Sequence, residues 1–168
     1  MFGIRGLDGL GLLHTAFALA ALCLGLVVIL RVKGTRFHRR IGQSYAVCMV
    51  LVNATALLIY DLTGRFGIFH VAALVSLAAV LAGFFPVFLR RPQNSWIELH
   101  ATFMAWSYVG LVAAFCAEVA VRVPGIGFGR ALVAVNAIVV AFGALIIHTR
   151  IPKIAAGILN SSLASKVI

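Results

Sequence analysis

Eighteen positions separate His100 from Glu118 in a stretch that is otherwise mostly apolar. At 3.6 residues per turn this is five whole turns of helix, so His100, Met104, Ser107, Leu111, Ala114 and Glu118 fall on one stripe about 27 Å long. Ionisable side chains are costly in hydrocarbon and normally face a bundle interior, so the stripe is expected to be enclosed by other helices. The plainer alternative puts His100 and Glu118 at the two headgroup levels. Three more histidines, His14, His38 and His70, each stand near the start of another hydrophobic run. Two imidazoles converging from opposite sides are what bis-axial ligation of a haem iron requires. Neutral imidazole with carboxylate suits zinc, and imidazole with thioether suits copper.

The elements that must position these residues are membrane spans. Of the 168 residues, 63% are hydrophobic and only 11% charged, whereas globular chains run at about 45–50% and 25%. The expected fold is all-α, a polytopic bundle of about five transmembrane helices in one domain with a four-helix core. The spans are expected at about 9–31, 37–60, 66–89, 95–121 and 130–149. The first run is too long for a cleaved signal peptide and reads as a span. Asp8, Thr35 and Ser95 are candidate N-caps, Pro86 should kink or end the third helix, and the tail from Pro152 is a candidate surface segment. His14, Ala18, Ala21 and Gly25 make a face of small residues on helix one. Helix two carries a stripe of His38, Gly42, Tyr45, Met49, Ala56 and Tyr60, and helix three carries Ala72, Ser76, Ala79 and Gly83 after His70. Asn53 and Asn136 lie near mid-membrane, and Asn53 should seek a partner on another helix. Cys23, Cys48 and Cys116 show no metal-finger spacing and read as buried packing residues.

The formal charge of +10 sits between apolar runs, so membrane topology accounts for it and nucleic acid is not the expected partner. Arg31, Lys33, Arg36, Arg39, Arg40, Arg90, Arg91, Arg150, Lys153 and Lys166 fall on one side, and Arg5, Arg65, Arg122 and Arg130 on the other. The cation-rich side is expected to be cytoplasmic, with the N-terminus outside and the C-terminus inside. His14 and His70 then lie at the outer level on helices one and three, and His38 and His100 at the inner level on helices two and four. In an antiparallel four-helix core each pair is diagonal and can converge. His38, among cations, lies shallow.

The arrangement is similar in architecture to the ascorbate-reducible transmembrane cytochromes b, in which histidines on alternate helices hold one haem on each side of the membrane. In sequence, His38-Arg39-Arg40-Ile41-Gly42-Gln43-Ser44-Tyr45, Gly67-Ile68-Phe69-His70 and the run from His100 through Met104, Ser107 and Tyr108 to Glu118 resemble an uncharacterised bacterial family of multi-spanning membrane proteins. The motifs are HRxxGxxY and HxxxMxxSYxG with a later Glu, and the resemblance covers about Gly34 to Arg122. It implies a membrane fold and draws attention to His38, His70, His100 and Glu118, but implies no reaction.

The functional expectation is a protein of the bacterial cytoplasmic membrane whose paired histidines, His14 with His70 and His38 with His100, bind a redox cofactor, haem b first. The metal alternative is an outer zinc site of His14, His70 and Glu118, or an inner copper site of His100 and Met104 with His38 or His148. A third class is a cofactor-free accessory subunit. The lipid bilayer is the one partner the composition requires; a homo-oligomer or a larger membrane complex stays open, and no residue is identified as catalytic.

Overall fold

The structure, a computed structural model, describes residues 9–60, 64–92, 95–125 and 127–167, with side chains described as far as 158. Five α-helices follow one another: α1 (Gly9–Leu30), α2 (Arg36–Leu58), α3 (Ile68–Leu89), α4 (Trp96–Ala120) and α5 (Phe128–Val167). All five are long and apolar enough to cross a membrane, and no strand occurs among the described residues. The expected Asp8 cap and most of the turn at Asp61, Leu62 and Thr63 lie outside the described residues. The chain forms two compact units, Met1–Val80 and Leu81–Ile168, and α3 contributes to both.

In the first unit α1 packs on α2. Between helices in lipid there is little water to expel, so close packing decides, and small residues permit it. Ala21 and Gly25 are buried on α1, continuing the face that begins at His14 and Ala18. They meet an α2 whose buried residues are Tyr45, Ala46, Met49, Val52 and Asn53. The connection is capped at both ends. Lys33 Nζ donates to the carbonyls of Val28 (2.8 Å), Ile29 (2.5 Å) and Arg31 (2.9 Å), which satisfies oxygens left over at the end of α1. Burial there lowers the pKa of its ammonium below the usual lysine value. Gly34, at φ +80°, turns the chain, and Thr35 Oγ1 accepts the His38 backbone N–H at 3.0 Å as the expected cap of α2.

In the second unit α4 packs on α5. The buried line on α5 is Gly143, Ile147, Ile151 and Ala155, each four residues after the last. The helices approach closely at Gly143, where a Cβ would lie 2.6 Å from both methyls of Val109.

Several expectations need correction. The fifth helix does not stop near 149 but runs through Pro152 to Val167, and the buried line through Ile151 and Ala155 shows why: packing continues past the proline. Pro86 likewise lies inside α3, buried, without ending it. A proline removes one backbone bond, and inside a membrane the helix remains the best way to satisfy the rest. Ser95 precedes α4 but makes no side-chain capping bond, and Cys23, expected to be buried, is exposed while Cys48 and Cys116 are half-buried. Asn53 finds its acceptor on its own helix, donating to Met49 O at 2.8 Å, and Asn136 does the same to Leu132 O at 2.8 Å. In both, one amide hydrogen is taken by the carbonyl one turn back on the same helix.

Candidate functional site

Three histidines have ring partners that fix which nitrogen carries the proton. A neutral imidazole has one N–H donor and one lone-pair acceptor, so identifying one identifies the other.

His100, near the start of α4, places Nδ1 2.8 Å from the backbone carbonyl of Gly83 on α3. A carbonyl only accepts, so Nδ1 carries the hydrogen and the neutral ring presents its lone pair at Nε2. The absent side chain of Gly83 lets α4 come close to α3 at this point. A Cβ at that position would lie 2.7 Å from Met104 Sδ, 2.9 Å from Met104 Cγ and 3.2 Å from the Met104 backbone nitrogen. One helical turn of α4, from His100 to Met104, therefore rests on Gly83. Ser107, one turn further along, is buried and donates to Met104 O at 2.8 Å.

His14, on α1, places Nδ1 2.9 Å from Thr55 Oγ1 on α2. The threonine hydroxyl lies 2.8 Å from Leu51 O and 3.0 Å from Val52 O. Its single hydrogen is directed to these two acceptors, which leaves an oxygen lone pair for the imidazole. His14 is thus also an Nδ1–H donor with its lone pair at Nε2. A ring N–H held by a carbonyl or another oxygen is the arrangement that orients ligating histidines and sets their tautomer.

His70 is the opposite case. It is 3% exposed, and its Nδ1 accepts the backbone N–H of Gly67 at 3.2 Å. A backbone amide only donates, so the hydrogen of the neutral ring is on Nε2, which has no hydrogen-bond partner among the described residues. The rings of Tyr60 and Phe66 lie against the imidazole, at centroid distances of 4.5 and 4.9 Å. Gly67 immediately precedes α3 and His70 is its third residue. His70 therefore performs the reach-back of a capping box, in which the third helical side chain satisfies the amide of the cap residue. With Nδ1 so engaged, Nε2 has no lone pair to give a metal unless the cap is broken. The expected pairing of His14 with His70 around one iron does not fit these ring states.

The remaining candidates are dispersed. The stripe on α4 holds through His100, Met104, Ser107 and Leu111, but Ala114 is exposed, and the burial moves to Ala113 and Ala117. Glu118, expected to close an outer zinc site with His14 and His70, is exposed and pairs with Arg122 one turn on, Oε1 to Nη2 at 2.5 Å. Arg122 also donates to the Glu118 carbonyl. The acid is neutralised locally, by an arginine on its own stretch of chain. Among the described residues no three His, Cys, Asp or Glu side chains are grouped so that they could hold a metal ion. His38 is half-buried at the start of α2, and His148 is exposed on α5.

Reasoning from sequence identified His14, His70 and His100 but not the groups that fix their rings. Gly83 was noticeable as a small residue on α3, and Tyr60 as a member of the α2 stripe. Thr55 carried no signal, and Gly67 gave one only as a residue three before His70.

No match was found among the curated proteins or the solved structures. A family model does match, over residues 11–155, which takes in nearly all of the five helices. Its description is "Predicted membrane protein (DUF2306)", and the five apolar helices agree with it. The chain belongs to this family of multi-pass membrane proteins of unknown function.

Proposed function

We propose that this membrane protein is a transmembrane electron carrier in which His14 and His100 each give an Nε2 lone pair to a redox metal centre, with the iron of haem b as the first candidate. The observation that carries the proposal is the His100 bond to the Gly83 carbonyl. It fixes the ring in the ligating tautomer and ties its orientation to the contact of α3 with α4. His14 and Thr55 repeat the device with a hydroxyl in place of a carbonyl. A bound haem would supply one-electron chemistry; the chain would hold the ring planes and tautomers and keep water away.

By the alternation of five crossings, His14 and His100 belong to opposite membrane levels, which suits electron transfer across the bilayer. His70 drops out of the ligand set because its Nδ1 caps α3. The cation asymmetry supports a cytoplasmic membrane with the N-terminus outside, so a reporter fused after Ile168 should be active only in the cytoplasm.

The test is to purify the protein from cells supplied with haem precursor and to measure the Soret band and metal content. His14→Ala and His100→Ala should each remove about one site's share, and the double variant nearly all, because losing an axial ligand dismantles its centre. His70→Gln should keep the full content. Folded protein with neither a Soret band nor stoichiometric metal would overturn the proposal.

A further inference from the structure

The first end of α2 concentrates positive charge. Arg31, Lys33, Arg36, Arg39 and Arg40 are five cations within ten residues, and no acidic residue occurs between Asp8 and Asp61. Two of the five have local partners: Lys33 is held by α1 carbonyls, and the Arg31 guanidinium lies over the Phe37 ring at 5.8 Å from its centroid. Arg36, Arg39 and Arg40 are exposed, and none of them forms an ion pair among the described residues.

Arg40 stands at one end of an open groove of about 450 Å³ lined by Gln43, Ser44, Val47 and Cys48. The spacing of three, one, three and one residues keeps all five side chains on one face of α2. Over about 12 Å of helix rise the lining passes from a cation, through an amide and a hydroxyl, to apolar groups. Ser44 spends its hydroxyl hydrogen on Arg40 O at 3.2 Å, which leaves the side-chain NH2 of Gln43 as the donor available to an ester oxygen. Val47 is 59% exposed.

A phospholipid presents the complementary order along its length: an anionic phosphodiester, a polar glycerol and ester region, then hydrocarbon. We propose that this groove binds one anionic phospholipid, with its phosphate on Arg40, its ester region on the Gln43 amide, and its chains along Val47 and Cys48. A zwitterionic lipid offers the same shape but brings a cation towards the arginine cluster, so the site discriminates by charge. A free phosphate could satisfy Arg40 but would leave the apolar half uncovered.

The full-length protein in neutral detergent would be titrated with phosphatidylglycerol or phosphatidylcholine, and retained lipid counted by native mass spectrometry. The expected result is one phosphatidylglycerol held in preference to phosphatidylcholine. Arg40→Gln should lower that affinity about fivefold, the worth of one basic residue near an anionic surface. Arg150→Gln, which removes an exposed cation of α5, should leave it unchanged, and millimolar inorganic phosphate should not displace the lipid. Equal retention of the two lipids by the unaltered protein would overturn the proposal, with no variant needed. Equal losses from Arg40→Gln and Arg150→Gln would mean diffuse charge and no site, and full displacement by phosphate would mean an anion site without a lipid.

Discussion

Replacing Gly83 with alanine tests whether the contact of α3 with α4 is as close as the His100 geometry requires. The new Cβ would stand 2.7 Å from Met104 Sδ and 3.2 Å from the Met104 backbone nitrogen, where ordinary contact begins at 3.4 Å. The sulfur must therefore retreat by about 0.7 Å, which thioether rotation can provide. The backbone nitrogen must retreat by about 0.2 Å, which requires α4 itself to move. A shift of that size lengthens the 2.8 Å bond from His100 to Gly83 O to about 3.0 Å, still a hydrogen bond. The cost is therefore overpacking, about 1–3 kcal/mol. Gly110→Ala is the control, because nothing lies within 4 Å of its new Cβ and it makes the same gain in helix propensity. The difference between the two variants in SDS-induced unfolding of the purified protein should be about 1–3 kcal/mol. Met104→Ala in the Gly83→Ala background should recover part of it, with a coupling of about 0.5–3 kcal/mol. If Gly83→Ala unfolds with Gly110→Ala, α3 and α4 are not in contact at this point and the reasoning about His100 fails with it.

Gly143→Ala should destabilise at least as much as Gly83→Ala, since both methyls of Val109 lie 2.6 Å from the new Cβ and a β-branched side chain has few rotamers to escape into; Val109→Ala should relieve it in the same unfolding assay. His70→Gln should keep the cap of α3 because glutamine is a regular capping-box partner, whereas His70→Ala should cost about 0.5–2 kcal/mol from the cap alone. Equal stability of the two His70 variants would argue against the capping role. Thr55→Val removes the acceptor of His14 at nearly constant volume and, under the proposed function, should weaken metal or haem binding at that level by about 10–100-fold while leaving the His100 level unchanged; a difference titration with haem would measure it.

The five spans were legible because apolar runs of bilayer length are separated by cations, prolines and glycines, and the Thr35 cap because a threonine stands just before the periodic segment. The small-residue face of α1 was legible too, since Ala21 and Gly25 fall one and two turns beyond Ala18. What could not be read was whether a proline ends a helix: Pro152 does not, because Ile151 and Ala155 continue the buried line on either side of it. The Glu118 stripe failed for a different reason. Helical phase says which residues share a face, but near a helix end the neighbours covering that face change, and Arg122 one turn away gives the acid a local partner. The histidine ring states were the least legible feature. Their partners at His100 and His70 are a backbone carbonyl and a backbone amide, which every residue possesses, so the sequence marks neither.

The most direct test of the central claim is the tautomer of each ring, read from 15N chemical shifts and one-bond N–H couplings of histidine-labelled protein at a pH where the rings are neutral, with His14→Gln, His70→Gln and His100→Gln variants assigning the signals. The hydrogen is expected on Nδ1 for His14 and His100 and on Nε2 for His70. Hydrogen on Nε2 of His100, or on Nδ1 of His70, would contradict that claim.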